Sequence, residues 1–438
     1  MSNRKQELHD AWMSFVVAAL HLLKKKRAEG SLKVPTLPRE KYTVERDGGL
    51  KTSHFNEPQF YLVLYGLREE LSNMEEYKGV AKLAGQDPRI SKHFDQLVGT
   101  GSVVVLRSLW EYVSFPLLKQ LLKGSEQLDF DPGLFERTLS DMLGYFDSET
   151  VTMRYLAPLQ NFESDSDSID LAQGLTIRKL RTEELEDLAS ISAESGMMPF
   201  YEVTTLKYAI ELSQETRKQI GGLPTPASPE VAQTVEDLGK VILALRLFKA
   251  GNVAYDMVRV STVLDVPGSL SGTTSYGPHL RFRPGKKYSL VGSECGEFRG
   301  FWDSLRDRDF DKPSSLTVAI RRFNFAYNRQ GLEDKLVDYM IAVEALFMKK
   351  EERSELVHRL SLRVARLLGR DFKERQDIQK EVKEYYKKRS SVVHGGETKL
   401  TDDVILQLEE RLRAAFKLLM PSLEDLSQDE LLSHLDLD

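Results

Sequence analysis

The chain has a single cysteine, Cys295, in 438 residues. That excludes an intramolecular disulfide and a cysteine-rich zinc site, and makes a reducing compartment, the cytoplasm, the expected setting. Long apolar runs are also lacking. Residues 11–23 (AWMSFVVAALHLL) fall short of the roughly 20 residues that a membrane helix needs. They contain His21 and are followed by Lys24, Lys25, Lys26 and Arg27 rather than by a small-residue cleavage site, so they read as a buried helix, and no membrane partner is expected. Positive charge is not in excess. A formal net charge of −6 argues against a protein that coats nucleic acid nonspecifically, while leaving room for a local basic groove. Gly99-Thr100-Gly101 has no third glycine to complete a dinucleotide fingerprint. There is no P-loop and no nucleophile elbow, so the glycines read as a turn and a hydrolase triad has no support. The acidic run 164–170 (SDSDSID) lacks the glycine turn and distal glutamate of a calcium loop and reads as a solvated linker. No metal, cofactor or internal repeat is expected.

With 41% hydrophobic and 29% charged residues, the composition is that of an ordinary globular protein. Its length exceeds what one compact core usually holds. The expected fold is mainly α with a mixed α+β middle region and an antiparallel four-helix bundle at the C-terminal end. The expected divisions are 1–163, mainly helical and a possible sensor; 171–312, mixed; and 315–424, the bundle. In the first, residues 8–29 are helical, 30–49 form a loop, and 60–71, 103–122 and 134–146 are apolar segments of helical length, with 103–106 a possible strand. In the second, 175–180, 200–212, 253–264 and 287–291 have strand content, and Pro229 opens a long helix that ends near Gly251. Residues 279–288 (HLRFRPGKKY) interleave Arg281, Arg283, Lys286 and Lys287 with Phe282 and Tyr288. This suits phosphate contact and base stacking, but a solvated hairpin edge, whose charges guard against aggregation, is the expected reading.

The bundle is written in four amphipathic segments, 332–348, 356–368, 378–393 and the stretch after Thr401, joined by short connections. Two features in it bear on chemistry. Glu344 stands among Met340, Ile341, Phe347 and Met348, and a carboxylate in an apolar stripe needs a cation from another helix. Residues 385–396 (YYKKRSSVVHGG) place Arg389 and His394 at a helix end closed by two glycines. The arginine offers a planar multi-donor cation for a phosphate or for Glu344. The histidine suits general acid or base work. Five helical steps turn by about 140°, so one ideal helix does not aim both side chains at one point, and a distorted end or a second copy across a dimer axis would be needed.

Taken together, RRFNFAYNR (321–329), LEDKLVDYMIAVEALFM (332–348), SELVHRLSLRVARLLG (354–369) and YYKKRSSVVHGG (385–396) resemble, in order, an Apea-like HEPN domain. The resemblance implies a metal-independent ribonuclease site, usually completed by dimerisation. Arg389 and His394 would supply the R-x4-H motif, Glu344 the additional polar residue, and Ser390 and Lys388 substrate contacts. Ser390 stands where many active members carry Asn, Asp or His, and its hydroxyl still donates and accepts. The function implied is RNA cleavage in prokaryotic defence, as an anti-phage, abortive-infection or toxin protein. The partners implied are an RNA substrate, a second copy, and a phage-derived trigger or an antitoxin. The alternative is a HEPN module that dimerises or binds RNA without cleaving it.

Overall fold

The computed structural model describes residues 3–45, 49–92, 97–100, 103–106, 108–122, 128–195, 203–217, 229–262, 271–275, 285–308, 312, 314–349, 352, 355–422 and 428–437. The protein is mostly helical with a mixed sheet region in its middle. Helix α1 (Asn3–Ala28) carries the long apolar segment, and Leu8, Trp12, Phe15, Val16, Ala19 and Leu23 recur at helical spacing and are all buried. Among the described residues, no helix is long and apolar enough to cross a membrane.

Strands β1 (Thr36–Val44) and β2 (Leu50–Pro58) then form an antiparallel hairpin. This corrects the expected loop at 30–49. Tyr42 is the one buried residue of its two strands, so the hairpin leaves little apolar alternation to read. Helices α2 (Phe60–Gly66), α3 (Arg68–Ser72), α4 (Glu75–Gln86) and α5 (Pro88–Ser91) follow, then the short antiparallel pair β3 (Leu97–Thr100) and β4 (Val103–Leu106). A π-helical turn (Trp110–Ser114) leads into α6 (Phe115–Leu122), and α7 (Pro132–Asp147) closes the stretch, opened by Asp131 accepting from the Leu134 amide.

The central sheet is built from β5 (Thr150–Leu159), β7 (Ser168–Ala172), β8 (Leu175–Lys179), β9 (Tyr208–Arg217), β10 (Met257–Thr262) and β11 (Ser271–Ser275), in the order β11-β10-β5-β9-β8-β7. Its pairings are antiparallel throughout. Two short strands, β6 (Phe162–Ser164) and β12 (Tyr288–Leu290), pair in parallel beside it. Val151, Met153, Tyr155 and Ala157 alternate along β5 into the main core, as period-two strand geometry requires. That face meets α9 (Pro229–Phe248), where the Tyr255 hydroxyl donates to the Val235 carbonyl. The other face is covered by α8 (Thr182–Ser195), with Leu188 and Ala189 buried beside Tyr42 and Met257. Arg154 and Arg178 meet Glu184 and Glu211 there in a closed charge cluster.

Three expectations are corrected in this region. The acidic run is not a linker: residues 165–167 are a bend between β6 and β7, and Ile169 is buried in the edge strand. Asp165 accepts from the Gly292 amide at 2.6 Å, and Asp167 pairs with Lys179. The strand expected from residue 200 begins at Tyr208; residues 200–202 lie outside the described set. Residues 279–284 of the basic-aromatic stretch also lie outside it. Tyr288, the stretch's last aromatic, is fully buried and stacked on Phe162, with ring centroids 5.8 Å apart, so it offers no base a platform.

The C-terminal region begins after α10 (Cys295–Arg306). The four expected helices are α12 (Leu332–Phe347), α13 (Leu356–Leu368), α14 (Phe372–Val393) and α15 (Asp402–Ser422). They pack against one another and are flanked by α11 (Ser315–Tyr327) and α16 (Gln428–Leu437). Pro421 lies in the last turn of α15.

Candidate functional site

The site is built from two helices. On α12, Leu336, Met340, Val343 and Phe347 form the buried stripe, with Glu333 and Asp334 at the favourable N-terminal end of the helix dipole. On α14, Asp371 caps the start by accepting from the Glu374 amide at 2.9 Å, and Ile378, Val382 and Tyr385 are buried. Arg389 is the next residue on that stripe, at i+4 from Tyr385, so the packing that holds the helix also turns its guanidinium inward.

There it meets Glu344. Arg389 Nη2 lies 3.9 Å from Glu344 Oε2, with 25% of the arginine side chain and 31% of the glutamate side chain exposed. This is an ion pair without a direct hydrogen bond. The guanidinium lies 5.9 Å from the centre of the Tyr386 ring, and its Nε is buried with no hydrogen-bond partner. Burial pushes the Glu344 carboxyl above the usual carboxylate range, and the neighbouring Arg389 charge pulls it partly back. The pair thus has unused hydrogen-bonding capacity and one open side.

The end of α14 is closed as the two glycines suggest. His394 is the C-cap, Gly395 has φ +74°, the Gly395 amide donates to the Val392 carbonyl and the Gly396 amide to the Ser391 carbonyl. These are the paired bonds of a Schellman motif, with glycine at the left-handed position. A Cβ on Gly396 would stand 2.5 Å from Ser391 Oγ. The following segment folds back on the helix, Lys388 Nζ donating to the Lys399 carbonyl at 3.1 Å. His394 is exposed and belongs to this turn. The structure therefore brings Glu344 and Arg389 together within one chain and places His394 at the same helix end, with no ion pair or side-chain hydrogen bond to either among the described residues. Ser390 contributes its carbonyl to the His394 amide. An open cleft of about 620 Å³ lies beside the turn, lined by Glu333, Val392, Gly395, Gly396, Glu397, Thr398 and Lys399. Among the described residues, no group of three or more His, Cys, Asp or Glu side chains is placed to hold a metal ion.

Two other charged residues of the motif segments have structural duties. Asp338 is almost wholly buried and accepts from Arg322 Nη1 at 2.9 Å and Arg329 Nε at 2.7 Å, which ties α11 to α12. Arg363, fully buried, is held by Glu352, by Asp436 of α16 and by the Phe347 carbonyl. Sequence reasoning missed Gln428, whose Nε2 donates to the Ala345 and Leu346 carbonyls and so caps α12 just beyond Glu344. It also missed Tyr386. Its place one turn before Arg389 was readable; the α16 cap had no local signal.

Comparison of the chain with protein-family models, with curated proteins and with solved structures found no match.

Proposed function

We propose that the protein is a HEPN-type, metal-independent endoribonuclease of prokaryotic defence, acting in the cytoplasm as a homodimer. The observation that carries the reading is the half-open Glu344–Arg389 pair on facing helices, with His394 at the capped end of the same helix as the arginine. Tight structural pairs in this bundle make direct hydrogen bonds; this one leaves guanidinium donors for a phosphate. In the proposed reaction a ribose 2′-hydroxyl attacks the adjacent phosphodiester, giving a 2′,3′-cyclic phosphate and a free 5′-hydroxyl. His394 moves protons, Arg389 stabilises the charge developing on phosphorus, Glu344 holds Arg389, and Ser390 and Lys388 contact substrate. Because His394 is exposed at the helix end and makes no ion pair or side-chain hydrogen bond with Glu344 or Arg389 among the described residues, a second copy related by two-fold symmetry would complete the site. A phage-derived trigger or an antitoxin acting through the upstream regions is the proposed control.

The exposure of His394 equally favours a second reading, in which the HEPN module dimerises or binds RNA without cleaving it. The test is incubation of the purified chain with RNA and with DNA of the same sequence in the presence of a chelator. The nuclease reading expects RNA cleavage with cyclic-phosphate ends, intact DNA, and no cleavage by His394→Ala. RNA binding without cleavage by the parent chain would select the second reading.

A further inference from the structure

A separate cavity of about 120 Å³ lies at the seam between the middle region and the bundle. It opens between Asn252 and Lys286 on one side and Tyr327, Lys335, Tyr339 and Glu409 on the other. The middle-region wall is pinned backbone. The Asn252 amide and the Asn161 side chain both donate to the Lys286 carbonyl, at 2.8 and 3.0 Å. Gly251 has φ +155°, and a Cβ there would stand 2.7 Å from Tyr288 Cα, so only glycine lets the wall approach this closely.

The charges around the cavity do not balance. Glu409 is the single carboxylate in its lining among the described residues, and its Oε1 already accepts from the Tyr327 hydroxyl at 2.6 Å and from the Arg413 guanidinium. Neither Lys286 nor Lys335 is paired with a carboxylate among the described residues. Behind Tyr327, its guanidinium 4.5 Å from the ring centre, stands the fully buried Arg246. Arg246 donates to the Val253 carbonyl and to Asn324 Oδ1, both neutral, and its Nη2 meets no acceptor among the described residues. A buried cation held only by neutral groups is costly, and an anion nearby would offset that cost.

We propose that this cavity binds a small phosphoryl anion. A phosphate monoester carries about −1.5 to −2 charges at neutral pH, which answers an excess of several cations better than a monocarboxylate does. The volume lies below the roughly 300–1,000 Å³ of sites that enclose drug-sized ligands, so the ligand is phosphate itself or a compact ester. Segments of the middle region and helices α11, α12 and α15 all contribute to the lining, so the bound anion would bridge them. The proposal does not rest on the nuclease reading.

The experiment is calorimetric titration and thermal melting of the full chain with inorganic phosphate, ribose 5-phosphate and ribose. The expected result is one site per chain for phosphate-bearing probes, a raised melting temperature, and no binding of ribose. Inorganic phosphate binding as well as the ester would identify free phosphate as sufficient; binding of the ester alone would identify a site that also reads the sugar. Lys335→Met and Lys286→Met should each weaken binding about tenfold, the equivalent of ~1.4 kcal/mol, with unchanged ligand-free melting. Lys286 is exposed, so its variant remains informative if Lys335→Met does not fold. No binding of either phosphate probe at millimolar concentration, or undiminished binding by both lysine variants, would overturn the proposal.

Discussion

Asp338 and Glu344 stand on the same helix and both face arginines, yet their surroundings differ. Asp338 is 2% exposed and accepts direct hydrogen bonds from two guanidiniums, at 2.7 and 2.9 Å. Glu344 is 31% exposed and stands 3.9 Å from one guanidinium. The first arrangement ties the helix to its predecessor and occupies both oxygens of the carboxylate. The second fixes little and leaves donors free, which is the pattern expected where a substrate supplies the missing acceptor. Arg363 and Arg389 repeat the contrast: Arg363 has carboxylates and a carbonyl on every side, whereas Arg389 has a buried Nε with no partner.

The comparison breaks most visibly if the closed networks turn out to be dispensable. Arg363→Met should have the largest effect on stability. It leaves Glu352 and Asp436 without their cation and frees the Phe347 carbonyl, and should cost about 3 kcal/mol, the lower end for removing one partner of a buried pair, since Asp436 stays partly exposed. Urea unfolding measures it. Asp338→Asn should cost less, about 1–3 kcal/mol, because Arg322 and Arg329 can turn to solvent.

Acid titration sharpens the contrast, because the two kinds of carboxylate respond to pH with opposite sign. The Arg363 guanidinium holds the Glu352 carboxyl down at about 2, from an ordinary value of 4.5. Its contribution to stability is present above 4.5 and is lost as pH falls towards about 2. Glu352→Gln should therefore melt well below the parent at neutral pH and converge with it in acid. Burial raises Glu344, opposed by Arg389, so its protonated form is the one the fold favours. That contribution is present below 4.5 and is lost as pH rises through the raised value. Glu344→Gln should melt at or above the parent temperature at pH 7. A clear drop there would make Glu344–Arg389 one more structural pair.

The C-terminal helices were legible in the sequence because they carry regular apolar stripes, and two of them are followed by glycine. The expectation that Glu344 needs a cation from another helix follows from its apolar neighbours alone, and Arg389 supplies that cation. What was not legible depends on distant contacts. The hairpin at 36–58 is too exposed to alternate, the acidic run at 164–170 hides a strand with one buried isoleucine, and the cap that Gln428 places on α12 joins residues far apart in sequence. The duty of Asp338 was missed for the same reason: its arginines come from the preceding helix and the turn after it.

The smallest expected change in stability belongs to the proposed site itself. His394→Ala should shift unfolding by no more than ~0.5 kcal/mol, since the side chain is exposed at a helix end, and should abolish RNA cleavage. The most direct test of the site measures melting temperature and RNA cleavage on the same preparations of the parent, Glu344→Gln and Arg389→Ala. The expected result is near-parental melting for Glu344→Gln, a loss of about 1 kcal/mol for Arg389→Ala, and cleavage falling steeply in both. Full cleavage by both variants, whatever their stability, would contradict the assignment of Glu344 and Arg389 to a ribonuclease site.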